Sequence, residues 1–309
     1  MAFDLFLHIF ASIRKTVITM PKFKYILIYT ILPALWALSF LYGCGSSVEG
    51  KPVITVSIQP QKYLLEKIAG DKWDVKCLLS NGANPESYDP SLTHLLNLEN
   101  STAYFRIGNI PFESAIITKV TKNKPNLKII DSSTGIALIT GTHSGHAGDL
   151  EIDPHTWTSV KNAKKIASNM YNGLVEIDPS NKDTYTKNFK KLLQSLDSLD
   201  NSIKERLDTH RGEAFIVWHP SLSYFARDYG LRQISLSPEG KEASITMMQT
   251  AIDQAKEAGA KVLFFQKDVD SRQATVANEQ IGANLVNINP LNYNWEEEIT
   301  VIADALSQQ

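Results

Sequence analysis

The chain has 309 residues, 43% hydrophobic and 21% charged, a balance typical of globular proteins and a length sufficient for two ordinary domains. A formal charge of -2, with no basic stripe interleaved with aromatics, excludes nucleic acid as a leading partner.

Residues 25–42 (YILIYTILPALWALSFLY) carry no charge, follow Lys22 and Lys24, and lead into Gly43, Cys44 and a Gly/Ser stretch. A basic segment, an apolar segment and a small residue before the break describe a secretory signal. At this length a retained membrane helix is the alternative. Leu41-Tyr42-Gly43-Cys44 resembles the bacterial lipobox, in which the cysteine is acylated and becomes the mature N-terminus. That resemblance implies a signal at 1–43, a lipid on Cys44 and the bilayer as a partner, with translation starting at Met1 or Met20. Each buried acyl CH2 contributes about 0.8 kcal/mol, and more than one chain makes the anchor stable. Cys77 is then left alone, which excludes a disulfide framework. Its strand-like surroundings assign it as a small buried hydrophobe.

After a tether at 44–52, residues 53–58 (VITVSI) alternate and branch like a strand, and 63–69 carry an amphipathic helical pattern ended by Gly70. Residues 75–79 form the next strand. Asp89-Pro90 reads as a helix start, with Asp accepting free N–H groups and Pro at the first helical position, for a helix to about Glu99. Strands at 103–107 and 127–130 flank a helix near 112–120. At 140–148 (TGTHSGHAG) the composition turns to that of a mobile loop, carrying His143 and His146. A helix over 160–176 follows, and Asp178-Pro179 is expected to cap another in the manner of Asp89-Pro90. There Phe189, Leu192, Leu193, Leu196, Leu199, Ile203 and Leu207 fall at steps of three and four, one apolar stripe from about 181 to 209. At 1.5 Å per residue such a helix spans about 40 Å.

Beyond Arg211-Gly212 strands are expected at 214–218, 233–236, 261–265 and 285–288, with helices at 224–228, 245–258, 275–281 and from Trp295. Strand and helix alternate throughout, which argues for mostly parallel sheets flanked by helices. The expected fold is therefore α/β, with lobes at 53–177 and 211–309 bridged by one long helix within 178–210.

In open parallel sheets ligands bind beyond the carboxyl ends of the strands. His219 follows the strand ending at Trp218, Gln266 the strand ending at Phe265, and Asn289 the strand ending at Ile288. In the first half Glu86 lies past Leu79, and His155 stands on the proline-stiffened turn Asp153-Pro154-His155-Thr156-Trp157. Taken singly, any one of them could be a surface group or a helix cap. Together, two imidazoles and a carboxylate form a common first-row metal set, and zinc accepts all three in a tetrahedral shell. A zinc hydrolase would use the same ligands with water in an open position. No HExxH helix is present and no spare acid or base is evident, so an enzyme is not expected; a lipid-anchored adhesin is a further alternative.

From Val53 onward the stretches VSIQPQKYLLEKIAGDKWDVKCLLSNG, ANPESYDPS, DPHTWTSVKNA with DPSNKDTYTKN, WHPSLSYFARDYGL, SPEGKEAS and GAKVLFFQ through LVNINPL occur in order. In these the chain resembles the metal-binding solute receptors of ABC importers for zinc and manganese. The resemblance implies two lobes joined by a long helix, a metal ion in the cleft, and a monomer in the cell envelope that delivers the ion to an ABC permease in the cytoplasmic membrane. It assigns His155 and His219 as ligands. The chain departs from the family where Glu86 replaces the usual His, and where Gln266 and Asn289 stand in place of a closing carboxylate. The expected inner shell is Glu86, His155 and His219, with Asn289, Gln266 or water as the fourth, weaker ligand. Amide oxygens suit hard Mn2+ less than a second carboxylate would. His143 and His146 resemble the shorter His-rich, metal-collecting loops of zinc receptors. Zinc is thus the expected transported ion, with manganese or iron as alternatives.

Overall fold

The computed structural model describes residues 50–79, 84–85, 87–141, 151–237 and 244–308. The expected signal, Cys44, Glu86, His143 and His146 lie outside the described residues. Residues 51–309 form one compact unit.

Two four-stranded parallel sheets carry the fold. The first contains β1 (Val53–Val56), β2 (Asp74–Cys77), β3 (Ala103–Arg106) and β4 (Lys128–Asp131), in the order β2-β1-β3-β4. Helices α1 (Gln59–Ala69), α2 (Leu92–Glu99) and α3 (Pro111–Asn123) connect them. A short ribbon, β5 (Thr140–Gly141) with β6 (Glu151–Ile152), follows. The second large sheet contains β7 (Ala214–Val217), β8 (Arg232–Ser235), β9 (Val262–Phe265) and β10 (Asn284–Asn287), in the order β10-β9-β7-β8. Between the sheets lie α4 (Val160–Ile177) and the long α5 (Lys182–Leu207). The connections of the second sheet are α6 (Ser223–Tyr229), α7 (Ile245–Glu257) and α8 (Lys267–Ile281), and α9 (Trp295–Leu306) closes the fold. Central strands are covered on both faces and edge strands are not: β7 is buried at all four positions, whereas β10 is half-buried or exposed. The near-continuous apolar runs of the central strands follow from this, as parallel sheets require. Strand order reverses between β1 and β3 and between β7 and β9, the crevices where α/β sheets take ligands.

At 26 residues α5 spans about 39 Å. It packs against α1, α4 and α9. Its buried residues Leu192, Leu196, Ile203 and Leu207 lie on the predicted stripe, and Tyr185 extends it. One apolar core runs from the first sheet through α4 and α5 to one face of the second sheet and α9. A smaller core lies between the other face of the second sheet and α7 and α8. Gly173 lets α4 approach the first sheet: a Cβ there would meet Ile130 Cδ1 and Phe105 Cε1 at 2.8 Å.

Four local expectations change. Helix α2 is capped by Ser91, whose side chain accepts the His94 N–H, and not by Asp89. Pro179 opens a short 3-10 turn before α5, and the Asp178 carboxylate accepts bonds from the side chains of Ser180, Asn181 and Tyr185. Helix α8 starts eight residues before the expected Thr275, at Lys267. Thr140 and Gly141, expected to open a loop, form β5 paired with β6; the rest of that loop lies outside the described residues. Two-residue strands are too short to show alternation. Cys77 is half-buried, with Sγ 3.5–3.6 Å from the carbonyls of Leu79 and Ser57. Burial pushes its thiol up to about 12, so it stays protonated and unreactive.

Candidate metal centre

His155 emerges from β6 through Asp153 and Pro154 and precedes the 3-10 turn Thr156–Thr158. The Asp153 carboxylate accepts both the His155 backbone N–H and its Nδ1–H, each at 2.9 Å. Asp153 and His155 are each only 2% exposed. Burial alone would raise the Asp153 carboxyl, but hydrogen bonds from His155 and Ser223 and the imidazole's charge outweigh it and hold the group below the usual carboxylate range. An ionised carboxylate can only accept, so Nδ1 of His155 carries a proton, and in the neutral ring Nε2 presents a lone pair.

That lone pair faces the second lobe. The His155 Nε2 and His219 Nε2 atoms are 3.2 Å apart, with the rings at 74° to each other. His219 is placed by β7: Trp218 continues the strand, its N–H bonding to the Phe264 carbonyl at 2.8 Å, and the chain then turns at Pro220. Two nitrogens bound at about 2.05 Å to a tetrahedral ion stand roughly 3.3 Å apart. The imidazole pair therefore has the bite of a first-row metal chelate. With neutral rings and no ion, the contact is a hydrogen bond from His219 Nε2–H to His155 Nε2. With both rings protonated it becomes repulsive.

The remaining candidates are placed differently. Gln266 is half-buried at the head of α8, directly after β9 and beside the crevice between β7 and β9. Asn289 is exposed; its side-chain oxygen accepts the Leu291 N–H at 3.1 Å, and its own N–H bonds to Glu298 at 2.6 Å. Among the described residues no three His, Cys, Asp or Glu side chains converge on one point. His155 and His219 are thus the pair brought together. Sequence reasoning misses Asp153, although an acid two residues before a candidate ligand His is a signal for an orienting partner.

Groups from both lobes hold this region. Trp157, buried under His155 with ring centroids 5.1 Å apart, donates its indole N–H to the Pro290 carbonyl at 2.9 Å. Arg227 reaches the Ala137 carbonyl at 2.9 Å, and Ser159 bonds to Asp228. Asp200 on α5 accepts from Lys164, Lys204 and Tyr229, joining α4, α5 and α6.

Comparison with known proteins places the chain in a family. Residues 54–307 match the family model described as zinc-uptake complex component A, periplasmic. The chain is 27% identical over 271 residues to the high-affinity zinc uptake system protein ZnuA of Bacillus subtilis, covering 83% of each chain. It is 26% identical over 282 residues to the zinc-binding lipoprotein AdcA of Streptococcus pneumoniae, covering 87% of this chain and 56% of that one. The chain therefore spans little more than half the length of its streptococcal relatives. A crystal structure of ZnuA superposes with a TM-score of 0.77 at 33% identity, covering 84% of this chain and 99% of that one. The chain belongs to the zinc-uptake complex component A family.

Proposed function

We propose that this protein captures a divalent transition metal, zinc, in the crevice between its lobes and hands it to the permease of an ABC importer. The observation that carries this reading is the 3.2 Å approach of His155 Nε2 to His219 Nε2, with the His155 tautomer set by Asp153. Glu86 supplies the carboxylate, and Gln266, Asn289 or water completes the shell. Zinc binding and zinc uptake by the relatives favour zinc over manganese or iron.

The role is capture without bond chemistry. Ligation needs a lone pair on each Nε2, so binding releases protons and weakens in acid. Residues 1–43 act as a signal and Cys44 carries the lipid, so the lobes at 53–177 and 211–309, joined through 178–210, work outside the cytoplasm as a monomer. His143 and His146 collect metal for the site. Metal analysis of protein purified without chelator, followed by a thermal-shift panel on stripped protein, tests the reading. Stoichiometric zinc and a marked zinc-dependent stabilisation are expected. A protein that no divalent ion stabilises at micromolar concentration would end the receptor assignment.

A further inference from the structure

Ile139 and Asp153 stand opposite each other, one step beyond the Thr140↔Ile152 pair of the β5–β6 ribbon. A hydrogen-bonded antiparallel pair normally exchanges two direct N–H···O bonds. Here one is direct, from the Asp153 N–H to the Ile139 carbonyl at 2.9 Å. The other passes through Tyr224. The Ile139 N–H donates to the Tyr224 hydroxyl at 3.1 Å, and that hydroxyl donates to the Asp153 carbonyl at 2.7 Å. Tyr224 comes from α6 of the second lobe, is fully buried, and lies under the Arg227 guanidinium at 5.1 Å. Its neighbour Ser223 lies beside the Asp153 carboxylate and helps to hold it in the ionised form. Gln233 Nε2 donates to Ser223 Oγ at 3.0 Å, which leaves the serine hydrogen for Asp153.

We propose that Tyr224, assisted by Ser223, is a positioning residue for metal capture: a rung inserted from the second lobe that fixes Asp153, and through it the His155 imidazole, against His219. The inference rests on the metal site proposed above. His155 belongs to the first lobe by chain order, yet its orientation is set by α6 of the second. The two imidazoles thereby form one preformed unit. Without the hydroxyl, Ile139 and Asp153 close into an ordinary rung and draw the Asp153-Pro154-His155 turn away from His219.

Tyr224→Phe keeps the ring and removes the rung. Its zinc affinity, measured by competition with a chromophoric chelator, is expected to fall about 10-fold, the low end of the roughly 10- to 100-fold range for outer-shell partners, because the hydroxyl acts through Asp153. The dissociation rate should rise, and the visible spectrum of the Co2+-loaded protein should depart from that of the wild type. Ser223→Ala should move both readouts in the same direction by less, and it decides alone if Tyr224→Phe does not fold. A residue that only supported packing would shift the unfolding temperature and leave the Co2+ spectrum alone. Wild-type affinity and spectrum in both variants, with zinc binding lost in His219→Ala, would overturn the positioning role and leave the metal site standing. Unchanged zinc affinity in His219→Ala would overturn the metal site itself.

Discussion

Trp295 donates its indole N–H to the carbonyl of Trp157 at 2.8 Å, and both side chains are only 1% exposed. Trp157 in turn donates its indole N–H to Pro290, five residues before α9 begins. The turn that carries His155 is thus bonded on both sides to the last segment of the second lobe. Trp295→Phe leaves the Trp157 carbonyl buried without that donor and opens space beside it. Denaturant unfolding should show a loss of about 2–3 kcal/mol. Because one core spans both lobes, the transition should stay single; two separated transitions would show that the lobes are energetically independent.

Asp200 provides a pH-dependent prediction away from the metal site. Burial pushes its carboxyl up, but Lys204, Lys164 and Tyr229 outweigh this and hold it below the ordinary 3.8. A depressed folded value means that the stabilisation is present above the unfolded value, about 3.9, and is lost as pH falls through the folded value. Asp200→Asn should cost roughly 2 kcal/mol at pH 7, less than a fully buried pair because both lysines reach water. The deficit should shrink below about pH 4. Urea melts at several pH values check this, and a deficit that persists unchanged in acid would assign the effect to packing.

Gly173 tests how tightly α4 is seated. An alanine methyl at this position would sit 2.8 Å from side-chain atoms of Ile130 and Phe105, so Gly173→Ala must shift those side chains or push α4 off the first sheet. Overpacking of this kind costs about 1–3 kcal/mol. A helix-stabilising Ala with no loss of unfolding free energy would contradict the close approach.

Much of this architecture is legible in the residues. The alternation of apolar runs marks all eight strands of the two large sheets, and the leucine steps mark α5. His219 and Gln266 can be placed at strand ends because parallel sheets put their loops there. What cannot be read depends on contacts distant in sequence. The Asp200 junction interrupts an apolar stripe with a carboxylate whose partners include Lys164 and Tyr229, about thirty residues away on either side. The Tyr224 rung joins residues 85 and 71 positions apart. Ser91 displaces Asp89 as a cap because both residue types serve that role, and only the local geometry decides between them.

Within the proposed shell the ligands can be ranked. Glu86→Ala should weaken zinc binding far more than Gln266→Ala, since a carboxylate contributes charge as well as an oxygen donor. Isothermal titration of the two variants measures this, and equal losses would refute the assignment. Deleting residues 142–147 should slow uptake at limiting zinc and leave equilibrium affinity nearly intact. Unchanged uptake would remove the collecting role of His143 and His146.

In the proposed site the ion sits between two particular nitrogens, and anomalous diffraction at the zinc edge from crystals of the zinc-loaded protein tests this directly. The expected result is one strong peak about 2.0–2.1 Å from both His155 Nε2 and His219 Nε2. No peak between these imidazoles in a protein shown to contain zinc would contradict it.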